Sequence, residues 1–395
     1  MMLTTRSRKQ IFSMILRPHQ QRIIDENPNR ALLVHEMRTG KSLIAKRWSE
    51  NPARNKNAII VCLKANKKEW VALCPDATVY TKEEFKKHVA SIKDPTAVVV
   101  DEAHNFASPL FIASKRSQLS EALYSLIKKN PDMHILLLTA TPLTNDPASL
   151  HTLMAYLGNY VDWKVYQRQF YELLYKPFLP RAAWFPRNGW RREANALLTK
   201  YADIVSLADC VDYLPPVIEE VITIKTPKRS YADDEEYHWT KDHIQEQSLK
   251  GKEIKRIAEG HRKLIVVCHY TEQIDALKKS LEKVRPVFVL DGRTKDQSKT
   301  IKEAQASEDC FFIVQAKIGL GWDGYMFGAL VFASIAHRVI DHTQMRGRLT
   351  SVDYPKPCVY YYLIGGRWDR LIYNSVMAGE NFNPHKYDKT TRPTP

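Results

Sequence analysis

Cysteine is scarce in this chain, and what there is stands unpaired. The 395 residues hold six, Cys62, Cys74, Cys210, Cys268, Cys310 and Cys358, with no Cys-x-x-Cys among them. That scatter speaks against a zinc site or a disulfide framework and fits core thiols in a reducing compartment. Also missing is any apolar run near the roughly 18 residues that a membrane helix needs. Met1 to Gln10 is polar and basic, and the apolar stretch after it is too short and mixed for a secretory signal. A cytoplasmic protein is the expectation. Acidic residues are outnumbered, 44 against 59 Lys and Arg, for a formal charge of +15. Such a balance favours a polyanionic partner, nucleic acid first, although a basic surface can also be merely solvated.

The length suffices for two domains with full cores. The richest stretch is Ala-Leu-Leu-Val-His-Glu-Met-Arg-Thr-Gly-Lys-Ser, residues 31–42. Ala31 to Val34 reads as a short buried strand, and Leu43, Ile44, Ala45 and Trp48 read as the apolar stripe of a helix. Strand, polar turn and helix form the context of a phosphate-binding loop, in which Gly40 admits an anion close to the backbone. In such a loop Lys41 would reach the β- and γ-phosphates and Ser42 would help hold Mg²⁺, the plainer alternative being a helix start that carries an ordinary surface lysine. His35 stands where the usual pattern has its first glycine. Upstream, Pro18 opens a helix in which Gln20 could read an adenine edge.

Three more apolar strands follow. Ala58 to Leu63 leads into Lys64, Asn66, Lys67 and Lys68, a basic loop suited to phosphate backbones or simply to solvent. Thr96 to Val100 delivers Asp101 and Glu102, followed by Ala103 and His104. An acid so placed holds Mg²⁺ against phosphates, which suits Asp101, and its neighbour Glu102 can orient and deprotonate the attacking water. His134 to Leu138 ends in Thr139-Ala-Thr141-Pro-Leu-Thr-Asn145, hydroxyls and an amide able to relay between nucleotide and a second ligand.

In order, Leu16-Arg-Pro-His-Gln20, the Gly-Lys-Ser loop, Asp101-Glu-Ala-His104 and Leu136-Leu-Leu-Thr-Ala-Thr-Pro-Leu-Thr-Asn145 resemble the first lobe of superfamily 2 helicases. The last stretch, running on to Leu150 and Tyr156-Leu157, most resembles the SNF2-like branch. Residues 160–190 are dense in aromatics and arginine, including Trp184 and Trp190. They form either the core of a small helical subdomain or a surface that stacks on unpaired bases. Leu214 to Glu219 and the strand after it resemble the passage towards a second lobe. Strand–helix alternation from Lys263 to Ile364 argues a second parallel sheet of about five strands. There, Leu290-Asp-Gly-Arg-Thr-Lys295, the glycine turn at 319–324 with Asp323, and His342-Thr-Gln-Met-Arg-Gly-Arg348 resemble second-lobe helicase motifs. Ser351 stands where the family often has a further arginine.

The resemblance, spanning about 300 residues, implies an α/β fold of two RecA-like lobes. Each is a doubly wound parallel sheet, with a helical, aromatic-rich insertion between them. The lobes are expected over 1–160 and 256–380, the insertion and linker over 161–255, and a polar tail over 381–395. It implies hydrolysis of ATP with Mg²⁺, coupled to translocation on duplex, forked or branched DNA in replication, recombination or repair. Compactness suits a monomeric phage or viral enzyme in a bacterial cytoplasm. Lys41, Asp101, Glu102, Gln344, Arg346 and Arg348 are the expected catalytic set, the arginines reaching the γ-phosphate from the second lobe. Arg17, Gln20, Thr39, Gly40, Ser42 and Asp323 join in holding nucleotide, with Ser42 and Asp101 on the metal. Lys64, Asn66, Thr81, Thr141, Arg293, Lys295, Lys317, Trp184 and Trp190 are the nucleic-acid candidates. An RNA helicase, or a nucleic-acid-binding ATP switch with little turnover, are the alternatives.

Overall fold

The computed structural model describes residues 16–112, 116–143, 146–175, 182–211, 213–214, 216–225, 244–318, 322–351 and 356–382. Thr144, Asn145, Gly319, Gly321, most of the charged stretch expected as a linker, and the tail from 383 lie outside them. The chain divides into two compact units, residues 1–212 and 213–395.

The first unit is built on a six-stranded sheet. Its strands are β1 (Arg30–His35), β2 (Ala58–Cys62), β3 (Thr78–Thr81), β4 (Ala97–Val100), β5 (His134–Thr139) and β8 (Asp203–Val205). They lie in the order β3-β2-β4-β5-β1-β8, every neighbouring pair parallel. Runs such as Ala-Ile-Ile-Val-Cys in β2 are buried at every residue, as a parallel sheet covered on both faces requires. The period of two sorts them. Leu32 and Val34 join one core, whereas Leu33 joins the other with Ile44, Ala45 and Trp48 from the helix Lys41–Ser49. β5 lies between β1 and β4. The loop after β1 and the acids after β4 therefore open at the same carboxyl edge, roughly two strand spacings or 10 Å apart.

Of the stretch expected as a helical insertion and linker, 161–255, the part up to residue 212 belongs to this first unit. Tyr166 and Phe170 from the helix Trp163–Phe170, Tyr171, and Trp190, Ala194 and Leu198 from the helix Trp190–Tyr201 lie in its core. The stretch is not wholly helical. β6 (Tyr171–Leu174) and β7 (Ala183–Pro186) form an antiparallel hairpin, and β8 then adds the last strand beside β1.

The second unit carries its own six-stranded parallel sheet. It comprises β9 (Val217–Thr223), β10 (Lys263–Cys268), β11 (Val287–Leu290), β12 (Cys310–Gln315), β13 (Ala329–Phe332) and β14 (Cys358–Ile364). The order is β11-β12-β10-β13-β14-β9. Five of these are the strands expected from apolar runs, and β9, the passage strand, makes the sixth. The two doubly wound α/β sheets are the expected fold class. No helix among the described residues is long and apolar enough to cross a membrane.

Candidate active site

The loop after β1 is fastened to the helix Pro18–Glu26. Gln20 is buried, its Oε1 accepting from the Arg17 amide at 2.9 Å and its Nε2 donating to the Thr39 carbonyl at 3.0 Å. His19 Nε2 meets the same carbonyl at 2.9 Å, as a donor in the tautomer that this acceptor selects. The Arg17 guanidinium lies 3.4 Å from the Arg38 carbonyl. Gly40 has φ +88°, and a Cβ there would stand 2.2 Å from Gln20 Nε2. Left-handed backbone and close approach both demand glycine.

Within the loop, Lys41 Nζ donates to the carbonyls of His35 at 2.6 Å and Glu36 at 2.9 Å. Thr39 Oγ1 donates to the Glu36 carbonyl at 2.8 Å. Ser42, the next residue along, is exposed in the first turn of its helix. Behind the loop the buried His35 ring meets Asp203 Oδ1 at 2.6 Å, and Arg22 holds the other oxygen at 2.5 Å. Asp203 gets there because β8 pairs with β1 in the register Leu33 to Asp203.

The acid pair at the end of β4 is held as firmly. Asp101 Oδ2 accepts from the Trp70 indole at 3.0 Å and from Asn66 Nδ2 at 3.4 Å, and Oδ1 accepts from the Glu102 amide at 3.1 Å. Glu102 takes φ +52°, and its Oε2 lies 3.4 Å from His104 Nδ1. That nitrogen is 3.2 Å from Thr139 Oγ1, which accepts the Thr141 amide at 3.1 Å. A polar chain thus runs from the acids to the end of β5.

Burial pushes the Asp101 carboxyl up, opposed by the bonds from Trp70 and Asn66 and by the charge of Lys41. Burial likewise pushes the Lys41 ammonium down, opposed by Glu102, Asp101 and Glu36. The Lys41 ammonium is thus drawn by three carboxylates, Glu102, Asp101 and Glu36, at this half-buried edge. A polyanion carrying its own divalent cation would relieve both burial penalties at once.

The nucleic-acid candidates of this unit fare differently. Lys64 is exposed at the same carboxyl edge. Asn66 is engaged with Asp101. Thr81 is buried as the cap of the helix Lys82–His88, its hydroxyl accepting from Glu84 N at 3.2 Å. Thr141 Oγ1 is buried without a hydrogen-bond partner among the described residues. Trp190 is 9% exposed within the core, whereas Trp184 is 44% exposed on the hairpin.

No family model matches the chain, and no curated protein does. Among solved structures it is similar to one described as "Sulfolobus solfataricus SWI2/SNF2 ATPase core in complex with dsDNA". The likeness covers 92% of this chain and 91% of that chain at 14% identity, with a TM-score of 0.42. So loose a likeness transfers neither a residue role nor an activity.

In the second unit, Arg346 lies over the Tyr360 ring, 4.7 Å from its centre, and forms an ion pair with Glu219. Arg348 donates to the Trp322 carbonyl at 2.9 Å, and Gln344 is buried. The Asp323 carbonyl accepts from Gln305 at 2.8 Å. Arg293 is clamped by Asp275 at 2.8 Å and Asp291 at 2.6 Å, which raises its pKa. Lys295 and Lys317 are exposed.

Sequence reading named Arg17, Gln20 and Asn66 for ligand contacts rather than for holding the loop and the acid, and it assigned no part to His19, Trp70 or Asp203. Trp70 carried a signal, since it stands four residues after Asn66 and so shares its face of the helical turn. His19 was in plain view between Pro18 and Gln20. The Asp203–His35 contact spans 168 positions and left no local trace.

Proposed function

We propose that residues 35–42 grip the phosphates of Mg-ATP and that Asp101 and Glu102 drive its hydrolysis. The observation that carries this reading is that the loop after β1, with Lys41, and the acid pair after β4 open at one carboxyl edge of a parallel sheet with only β5 between them. A lone lysine beside a helix start is common. A lysine whose loop shares the ligand-binding edge of a parallel sheet with two acids delivered by another strand is not.

Each residue has a defined part. Lys41 exchanges its two loop carbonyls for phosphate oxygens. The Ser42 hydroxyl and the Asp101 carboxylate are hard oxygen donors, the kind Mg²⁺ takes. Among the described residues no three His, Cys, Asp or Glu side chains are grouped to hold a metal by themselves. The ion would therefore arrive on the nucleotide, as Mg²⁺ does in phosphoryl-transfer sites. When bound, it neutralises charge building on the phosphates. Glu102 accepts the proton of a water whose oxygen bonds to the γ-phosphorus, while the bond to the β–γ bridging oxygen breaks. Trp70 and Asn66 fix the orientation of Asp101, and His104 sits beside Glu102.

The chain is, on this reading, an ATP-driven DNA translocase akin to the SNF2-like branch of superfamily 2. The motif order and the charge of +15 support a nucleic-acid partner. Exposed Lys64, at the edge that holds the loop, is a candidate contact to its backbone. Duplex, forked or branched DNA is the proposed substrate class, in replication, recombination or repair.

Hydrolysis measured with no nucleic acid, single-stranded DNA, forked duplex and RNA tests the reading. Stimulation by DNA over RNA is expected. Lys41→Ala should lower hydrolysis by about a hundredfold or more while DNA binding stays measurable. Full hydrolysis by that variant refutes the site. Strand displacement on a fork then separates unwinding from translocation alone.

A further inference from the structure

Four non-glycine residues among those described have positive φ: Asn27 at 48°, Arg38 at 71°, Asp94 at 43° and Glu102 at 52°. Asn and Asp tolerate this left-handed region because their short polar side chains bond locally. Both sit at ordinary turns, Asn27 closing the helix Pro18–Glu26 and Asp94 in the loop before β4. Arginine and glutamate have no such licence. Both of those residues stand in the candidate active site, and Glu102 already has a part there. Arg38 has none.

Glycine would occupy this position without strain, and the chain uses glycine two residues on for that reason. The strained arginine is held in place from both sides. Its own carbonyl accepts from Arg17 at 3.4 Å, and the Thr39 carbonyl accepts from Gln20 at 3.0 Å. On the other side, the Glu36 carbonyl accepts from Thr39 Oγ1 at 2.8 Å and from Lys41 at 2.9 Å. Strain kept by so many bonds at a ligand loop points to a side chain that is needed there. A guanidinium offers a planar fork of donors that matches phosphate oxygens two at a time, which the point charge of Lys41 does not.

We propose that Arg38 is a second phosphate-binding cation of this loop, engaging the phosphate chain of the bound nucleoside triphosphate. The proposal rests on the reading of residues 35–42 as a nucleotide site. Its signature is a split between stability and affinity. Arg38→Gly removes the strain and the guanidinium together, so the variant should melt no lower than the parent yet bind nucleotide more weakly.

The test uses the full chain with a fluorescent ATP analogue and Mg²⁺, alongside thermal melts. Arg38→Gly should bind about tenfold more weakly with an unchanged or higher melting temperature. Arg38→Lys should fall between Arg38→Gly and the parent. Affinity within twofold of the parent overturns the proposal, and so does a lower melting temperature, which would make Arg38 a structural brace. Lys41→Ala run in parallel separates the two layers. If it loses affinity and Arg38→Gly does not, the site stands and only the role of Arg38 falls. If the parent and Lys41→Ala bind alike, the site itself fails and Arg38 with it.

Discussion

Asp203→Ala should loosen the nucleotide loop from behind, without replacing any residue of the loop itself. The carboxylate accepts from a His35 ring that is wholly buried, at 2.6 Å, and from Arg22, whose side chain is 45% exposed, at 2.5 Å. The two bonds are not equal. A buried donor left without its acceptor costs about 1–3 kcal/mol, whereas the half-exposed ion pair contributes at most about 1 kcal/mol. Loss of roughly 2–3 kcal/mol in the opening of β1 is therefore expected. Burial raises the Asp203 carboxyl, but bonds from His35 and Arg22 outweigh it and leave the pKa lowered. A lowered carboxyl stabilises above its unfolded value and loses that effect only as pH falls through its folded one. At pH 7 the whole contribution is present. Amide exchange over Arg30–His35 reads it directly, because exchange there reports local opening rather than unfolding of both units. His35→Leu closes a double-mutant cycle, in which the paired change should fall short of the sum by about 1–2 kcal/mol. Additive effects, or unchanged protection in Asp203→Ala, would mean that the buttress carries no energy. Because Lys41 bonds to the His35 carbonyl, nucleotide affinity should fall with protection.

Three further outcomes follow from the same coordinates. Gly40→Ala should cost about 1–2 kcal/mol in backbone strain and displace the pinned Gln20 amide. Nucleotide affinity should then fall, and parental binding would sink the idea. Trp190→Ala should destabilise the first unit by about 3–5 kcal/mol, while Trp184→Ala should cost under about 1 kcal/mol; urea titrations compare them, and equal losses would refute the assignment. The third outcome concerns pH. In the second unit, burial lowers His269 to about 3, and His337 and His342 each to about 4. Lowered histidines bind fewer protons folded than unfolded, so stability should fall as pH drops below about 6.5, by about 2 kcal/mol per residue at pH 5. Exchange protection of β10 that stays flat from pH 7.5 to 5 would contradict this.

Apolar runs made β1, β2, β4 and β5 legible, because strands covered on both faces must be apolar throughout. β3 and β8 escaped notice. Thr78–Thr81 mixes exposed and buried residues, and Asp203–Val205 is three residues long. The aromatic stretch divided in a way that only packing could decide. Trp190, Ala194 and Leu198 recur at helical spacing and enter the core, while Trp184 pairs across the hairpin with Leu173 and stays exposed. Lys41, Asp101 and Glu102 stand in local motifs and could be picked out as candidates, whereas the Asp203 carboxylate that braces His35 lies 168 positions away and could not.

The order of strands in the second sheet has a consequence for synthesis on the ribosome. β9 is an edge strand whose single partner among the described residues is β14, about 140 residues further along the chain. At about 5–20 residues per second, Val217, Ile218 and Val221 emerge roughly 7–30 seconds before anything exists to pair with them. The newborn chain thus carries a sticky, half-apolar ribbon beside an already finished first sheet, and slowing the ribosome between codons 225 and 358 lengthens that exposure directly.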